Sequence, residues 1–286
     1  MGAPQRQQPG AAAAAGGSWL RRKARRLRQR ARRAGLGPRS GFRRSLADPQ
    51  AALSLDMSSD STTLLVAFGG RGGGVGVPPF EFFAATAELP VKRLFVRDLH
   101  QTWYQHGIEG QGGTIREAAE SLRELIDRHG AQRIVTAGSS AGGYAALAFA
   151  SILGAERALS FGPQTVLDPS VQAAIGDLRW QDVMTELERE GGLDPEWIDL
   201  REALPRERER LGAGPRYDIF FSEVNTRPGQ PGRDRAHAER LAGIAGVRLY
   251  RFGSGGHMIA RRLRDCGALE RVLRRALEEP AKEPSG

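Results

Sequence analysis

Residues 133–147 constrain this chain more than any other stretch. A β-branched run, Ile134-Val135-Thr136, leads into Gly138-Ser139-Ser140-Ala141-Gly142, and Gly143 and a run of small helix formers follow. The spacing Gly138-x-Ser140-x-Gly142, in the order strand, sharp turn, helix, is what a serine held in strained backbone geometry requires. Bulk two residues to either side would collide, so both positions are glycine, and Gly143 lets the helix sit close to the sheet. The outcome is a hydroxyl at the mouth of a sheet, beside a helix N-terminus that favours developing negative charge. A Gly/Ser turn can also do no more than join a strand to a helix. Here the flanking pattern favours Ser140 as a nucleophile.

The rest of the chain supplies the sheet. Apolar strand patterns fall at 52–56, 62–68, 91–96, 158–161, 217–222 and 247–252. Helical patterns fall at 80–89, 114–128, 234–245 and 258–279, and Gly130 ends the second of these. Strands alternating with helices predict an α/β fold, a mostly parallel sheet covered on both faces. Residues 170–214 change character. They are helical, charged and studded with Trp180, Trp197 and Pro205, without a strand signal.

Charge is unevenly placed. Thirteen of the 42 Lys and Arg residues lie in residues 1–45, with no acid among them, so the other 29 face all 33 acidic residues. The net charge of +9 therefore belongs to a basic arm, residues 1–49, and the body at 50–280 is slightly acidic. The arm opens on Gly, Ala, Gln and Pro, a composition that favours disorder, and residues 19–34 could form a basic amphipathic helix. Its sharper reading is attraction to an anionic surface or nucleic acid; its plainer one is a solvated tail. No apolar run approaches the ~18 residues a membrane span needs, and no signal-peptide core is legible. These features predict a cytoplasmic protein. The single cysteine, Cys266, excludes an internal disulfide and suggests no cysteine metal site.

A serine nucleophile needs a base, an orienting acid and oxyanion donors. Of five histidines, His257 stands out, on a flexible Gly253-Ser254-Gly255-Gly256 turn after the final strand pattern. His237 falls within a helix and His129 ends one, where packing, exposure or the helix dipole accounts for them. The acid should lie between the 217–222 strand and His257. Glu223 ends that strand; Asp234 follows a Gly/Pro-rich insertion and could instead cap the next helix. A role for Asn225, or no acid at all, is a third option. The oxyanion donors would be the Ala141 N–H and one from Gly70 or Arg71, in the glycine-rich loop after residues 62–68. That loop lacks the Lys-Ser/Thr ending of a phosphate-binding P-loop.

Phe68-Gly69-Gly70, the Gly138–Gly142 turn, Gly256-His257 and the chain order serine, acid, histidine together resemble the α/β-hydrolase superfamily over roughly residues 60–275. The resemblance implies acyl transfer from an ester, thioester or amide to water, with a lid at about 170–214 and Asp98 as a structural rim residue. It implies no cofactor or metal and a small-molecule acyl substrate. An acyltransferase with the same residues, or a hydrolase-fold binding protein that has lost turnover, are the alternatives.

Overall fold

The computed structural model of the 286-residue chain describes residues 41–71, 81–224 and 232–279. Among these residues seven strands form one sheet: β1 Leu53–Asp56, β2 Thr63–Phe68, β3 Lys92–Val96, β4 Arg133–Ser139, β5 Arg157–Phe161, β6 Arg216–Ser222 and β7 Val247–Phe252. Their spatial order is β1-β3-β2-β4-β5-β6-β7, with β1 antiparallel at one edge and every other pair parallel. Parallel strands have to be joined by crossovers, and these carry the helices onto both faces.

Central strands such as β2, Thr-Leu-Leu-Val-Ala-Phe, are apolar on both sides because both sides are covered. One face packs on helices α3 Ile115–Arg128, α4 Ala141–Ile152 and α7 Leu200–Leu211. The other packs on α2 Glu81–Ala85, α9 Ile259–Asp265 and α10 Ala268–Glu278. Thr114 caps α3 by accepting from the Glu117 N–H, and Ile115, Ala118, Leu122 and Ile126 form its buried stripe. Helix α4 is apolar all round because it is enclosed, with the sheet beneath it and α7 beyond.

Several boundaries differ from the sequence expectation. The helix expected at 258–279 is broken at Cys266-Gly267, where Gly267 takes φ +69° and starts a new helix. The helix expected at 234–245 stops at Glu239, in α8 Arg233–Glu239. Residues 170–214 are helical as expected, holding α5 Pro169–Ala174, α6 Gln181–Arg189 and α7. Ordered packing also reaches into the stretch read as an arm. Helix α1 Gly41–Ala47 lays Phe42 against Phe83 and Phe95, and Arg97 donates to the Leu46 and Asp48 carbonyls. Aromatic burial overrode the basic composition there. The possible helix at 19–34 lies outside the described residues. No described helix is long and apolar enough to cross a membrane.

Candidate active site

Ser140 stands between β4 and α4 with φ +57° and ψ −121°, a conformation that costs on the order of 1–3 kcal/mol for a residue with a Cβ. The surrounding packing holds it there. Its N–H donates to the Phe161 carbonyl at 2.9 Å. A Cβ on Gly138 would stand 1.8 Å from the Gly142 carbonyl oxygen, and one on Gly142 would stand 2.3 Å from that of Phe68. Only hydrogen fits at either glycine, which explains the spacing in the sequence.

His257 reaches this serine from the far side of the sheet's C-terminal edge. Gly255 and Gly256 take φ +118° and +53°, turning the chain after β7 into a single 3₁₀ turn, Gly256–Met258. The imidazole Nε2 lies 2.9 Å from Ser140 Oγ. Its Nδ1 lies 3.0 Å from both carboxylate oxygens of Asp234, in the first turn of α8. An ionised carboxylate only accepts, so Nδ1 carries the proton and Nε2 is free to accept from the serine hydroxyl. Asp234 is buried and His257 is about one-third exposed. Beyond β5, Gly162 at φ +56° leaves the carboxylate room: a Cβ there would stand 3.1 Å from Asp234 Oδ2.

Of the two acids left open by the sequence, Asp234 is the one brought to His257. Glu223 makes no side-chain contact with it among the described residues, and its N–H pairs with the Phe252 carbonyl at the end of the sheet. Asn225 lies outside the described residues.

A strand order of this kind, a serine turn after the fourth strand and a histidine after the last define a fold. The chain has the α/β-hydrolase fold. A candidate esterase from Staphylococcus aureus superposes with a TM-score of 0.51 at 14% identity, over 76% of each chain. Esterase B from Lactobacillus rhamnosis gives 0.47 at 15% identity over 92% of this chain and 99% of that one. An enol-lactonase from Burkholderia xenovorans gives 0.46 at 16%, over 79% and 95%. No family model and no curated protein matches the sequence.

On this hydrolase fold, the residue after the serine, Ala141, opens α4, and the first N–H groups of a helix have no intrahelical acceptor. The loop after β2 comes close to the same turn. A Cβ on Gly70 would stand 2.8 Å from the Ser139 carbonyl oxygen. The Gly69 N–H is spent on the Val96 carbonyl, whereas those of Gly70 and Arg71 donate to no described residue. Tyr104 and Asp98 brace this loop. The tyrosine hydroxyl donates to the Gly69 carbonyl, and Asp98 accepts the N–H groups of Gln101, Thr102 and Tyr104. Burial pushes the Asp98 carboxyl above its ordinary range, and those N–H groups only partly offset it.

The segment between β5 and β6 adds residues that the sequence reading did not single out. Arg179 lies 3.1 Å from Asp234 Oδ1 and 2.6 Å from Asp177 Oδ2. Asp177 in turn lies 3.0 Å from the Nε2 of fully buried His237, whose Nδ1 accepts the Thr165 N–H. Burial works against ionised Asp177, but His237 and Arg179 outweigh it and hold its carboxyl far below the usual range. Burial likewise opposes the Arg179 charge, and its hydrogen bond to Asp177 and the pull of Asp234 more than compensate. Gln164 is the other unforeseen neighbour. Its Oε1 accepts the Trp103 indole N–H at 3.0 Å and lies 3.3 Å from Ser140 Oγ. No local spacing marks Arg179 or Gln164; the loop leaving β5 places Gln164, and the turn between α5 and α6 places Arg179.

His100 lies 3.4 Å from Glu109 at the surface, and His129 caps the C-terminus of α3. Among the described residues no group of three His, Cys, Asp or Glu side chains is placed to hold a metal ion.

Proposed function

We propose that this chain is a serine hydrolase that cleaves a carboxylic ester through an acyl-enzyme on Ser140. The observation that carries the reading is the continuous Ser140–His257–Asp234 relay on a serine with positive φ. Ser140 Oγ attacks the acyl carbonyl while His257 Nε2 takes its proton. Asp234 keeps the imidazole in the tautomer with Nδ1 protonated and stabilises the imidazolium that forms. The Ala141 N–H and that of Gly70 or Arg71 receive the oxyanion of the tetrahedral intermediate. His257 returns the proton to the departing alcohol, and water, activated by the same imidazole, releases the acid.

An intact relay supports turnover over a binding protein that has lost it. Transfer to an acceptor other than water would use the same groups. The test is labelling by a fluorophosphonate probe with mass mapping of the adduct. Modification of Ser140, lost in Ser140→Ala and absent from neighbouring Ser139, is the expected result. Labelling that persists in Ser140→Ala overturns the assignment. The basic residues 1–45 add an electrostatic attraction to polyanions that salt should weaken.

A further inference from the structure

We propose that the site takes acyl groups carrying a carboxylate, which Arg71 and Gln164 hold a few atoms from the scissile carbonyl. The inference rests on the ester-cleaving reading above and extends it to a substrate class.

Three buried hydrogen-bond donors around the Trp103 ring have no acceptor among the described residues: Arg71 Nη1, Gln164 Nε2 and Trp180 Nε1. The orientation of Gln164 is dictated by chemistry. The Trp103 indole can only donate, so it fixes the amide oxygen, and the amide nitrogen is left facing elsewhere as a donor. Gln164 is wholly buried, and the same amide oxygen is 3.3 Å from Ser140 Oγ, so the unsatisfied nitrogen belongs to the immediate surroundings of the reacting atom.

Arg71 follows the loop glycine next to the serine turn. Its guanidinium lies 4.6 Å from the ring centre of Trp180 and 5.1 Å from that of Trp103. Other arginines have an unpartnered buried nitrogen, but their charge is answered. Arg93 is paired with Asp56, Arg157 with Asp218 and Arg240 with Asp199. Arg71 makes no hydrogen bond or ion pair with any described residue. Asp98, the acid whose field it feels, has spent its oxygens on backbone N–H groups of its own loop. Aromatic faces hold a cation in place but do not satisfy its N–H groups. A cation and two neutral donors held in one aromatic cluster, without an acceptor among the described residues, fit an anionic group rich in oxygen, and the planar guanidinium fork fits a carboxylate.

The direction follows from the relay. The alcohol must leave over His257 Nε2, which protonates it. The retained acyl chain is therefore directed to the other neighbour of Ser140 Oγ, the Gln164 side, where Trp103, Trp180 and Arg71 lie beyond the amide.

The experiment compares full-length protein on monoethyl succinate, glutarate and adipate with ethyl butyrate, pentanoate and hexanoate, matched in chain length, by pH-stat. At least one charged ester should exceed its neutral partner about 10-fold or more in kcat/KM, the scale of one hydrogen bond to a charged group. That ratio should shrink in Arg71→Met and in Gln164→Leu, whatever each variant does to the neutral ester, and Arg71→Lys should restore part of it. Neutral esters hydrolysed at least as well in every pair, or a preference that survives Arg71→Met, overturns the inference and leaves the hydrolase reading intact. Binding of monoethyl adipate to Ser140→Ala, followed by tryptophan fluorescence, separates the two readings. Saturable binding lost in Arg71→Met, with no ester cleaved by the unmodified protein, would support the anion site and sink the hydrolase reading. Absence of both binding and charge preference sinks the anion site.

Discussion

Among the described residues stand two aspartate–histidine pairs, 234/257 and 177/237, joined through one arginine. Their local chemistry is nearly the same: each imidazole lies 3.0 Å from a carboxylate, and Arg179 touches both acids. Their settings differ. His257 sits on a glycine turn beyond the last parallel strand, partly exposed, with Ser140 Oγ on its second nitrogen. His237 sits inside a helix, fully buried, and its second nitrogen accepts a backbone N–H. Only at His257 is the imidazole's remaining nitrogen offered a serine hydroxyl, which is what the proposed relay needs. Elsewhere the same pair is a buried polar tie between α8 and the segment following β5.

The comparison can be broken most sharply at the histidines and acids. His257→Ala and Asp234→Asn should each lower kcat by about 10³-fold or more, since on the proposed mechanism the first removes the base and the second its tautomer control. His237→Ala should instead act on stability. It leaves Asp177 buried beside Arg179 with one partner fewer, a loss of about 2–4 kcal/mol. Steady-state ester kinetics and thermal melts on the three variants distinguish the roles. A His237→Ala protein that melts normally but is inactive would invert the assignment.

Arg179 is the next test because it serves both pairs. Arg179→Met leaves two buried carboxylates without their shared cation, so the melting temperature should fall and kcat should drop about 10–100-fold as Asp234 loses its anchor. Arg179→Lys should recover part of both. If the Met variant keeps full kcat, the arginine ties only the Asp177 pair.

A smaller effect is expected from pH. The Asp177 carboxyl is depressed in the folded state, so between its folded and unfolded pKa values the unfolded chain binds more protons. Its contribution is therefore complete above the ordinary aspartate range and is lost as pH falls below about 4. Chemical denaturation at a series of pH values should show stability declining on the acid side, with a shallower slope in Asp177→Asn. An unchanged slope would mean that the pair contributes little.

The smallest effect should come from removing residues 1–40, a cut that keeps every residue of both pairs and stops short of α1. Turnover of a small ester should stay within about 2-fold, while retention on heparin should fall and lose its salt dependence. A lower melting temperature would place part of that stretch on the folded body.

How much of this was legible beforehand depends on how local each cause is. Ser140, Ala141, Gly138 and Gly142 could be read directly, because the clash between Gly138 and Gly142 is steric and falls within one turn, although the contact of Gly142 with Phe68 comes from the neighbouring strand. Alternating strands and helices, and the chain order of serine, acid and histidine, follow from periodicity and loop placement in the same way. His257 could be found because a glycine turn after a terminal strand has few other uses. The choice of Asp234 over Glu223 was not legible. It depends on how the chain returns from β6 into α8 and on the room left by Gly162, which lies 72 residues earlier in the sequence. Arg179, Gln164 and the unanswered charge of Arg71 were also decided only in three dimensions. A lone arginine or glutamine carries no periodic signal, and whether its hydrogen bonds are met depends on which distant loops close around it.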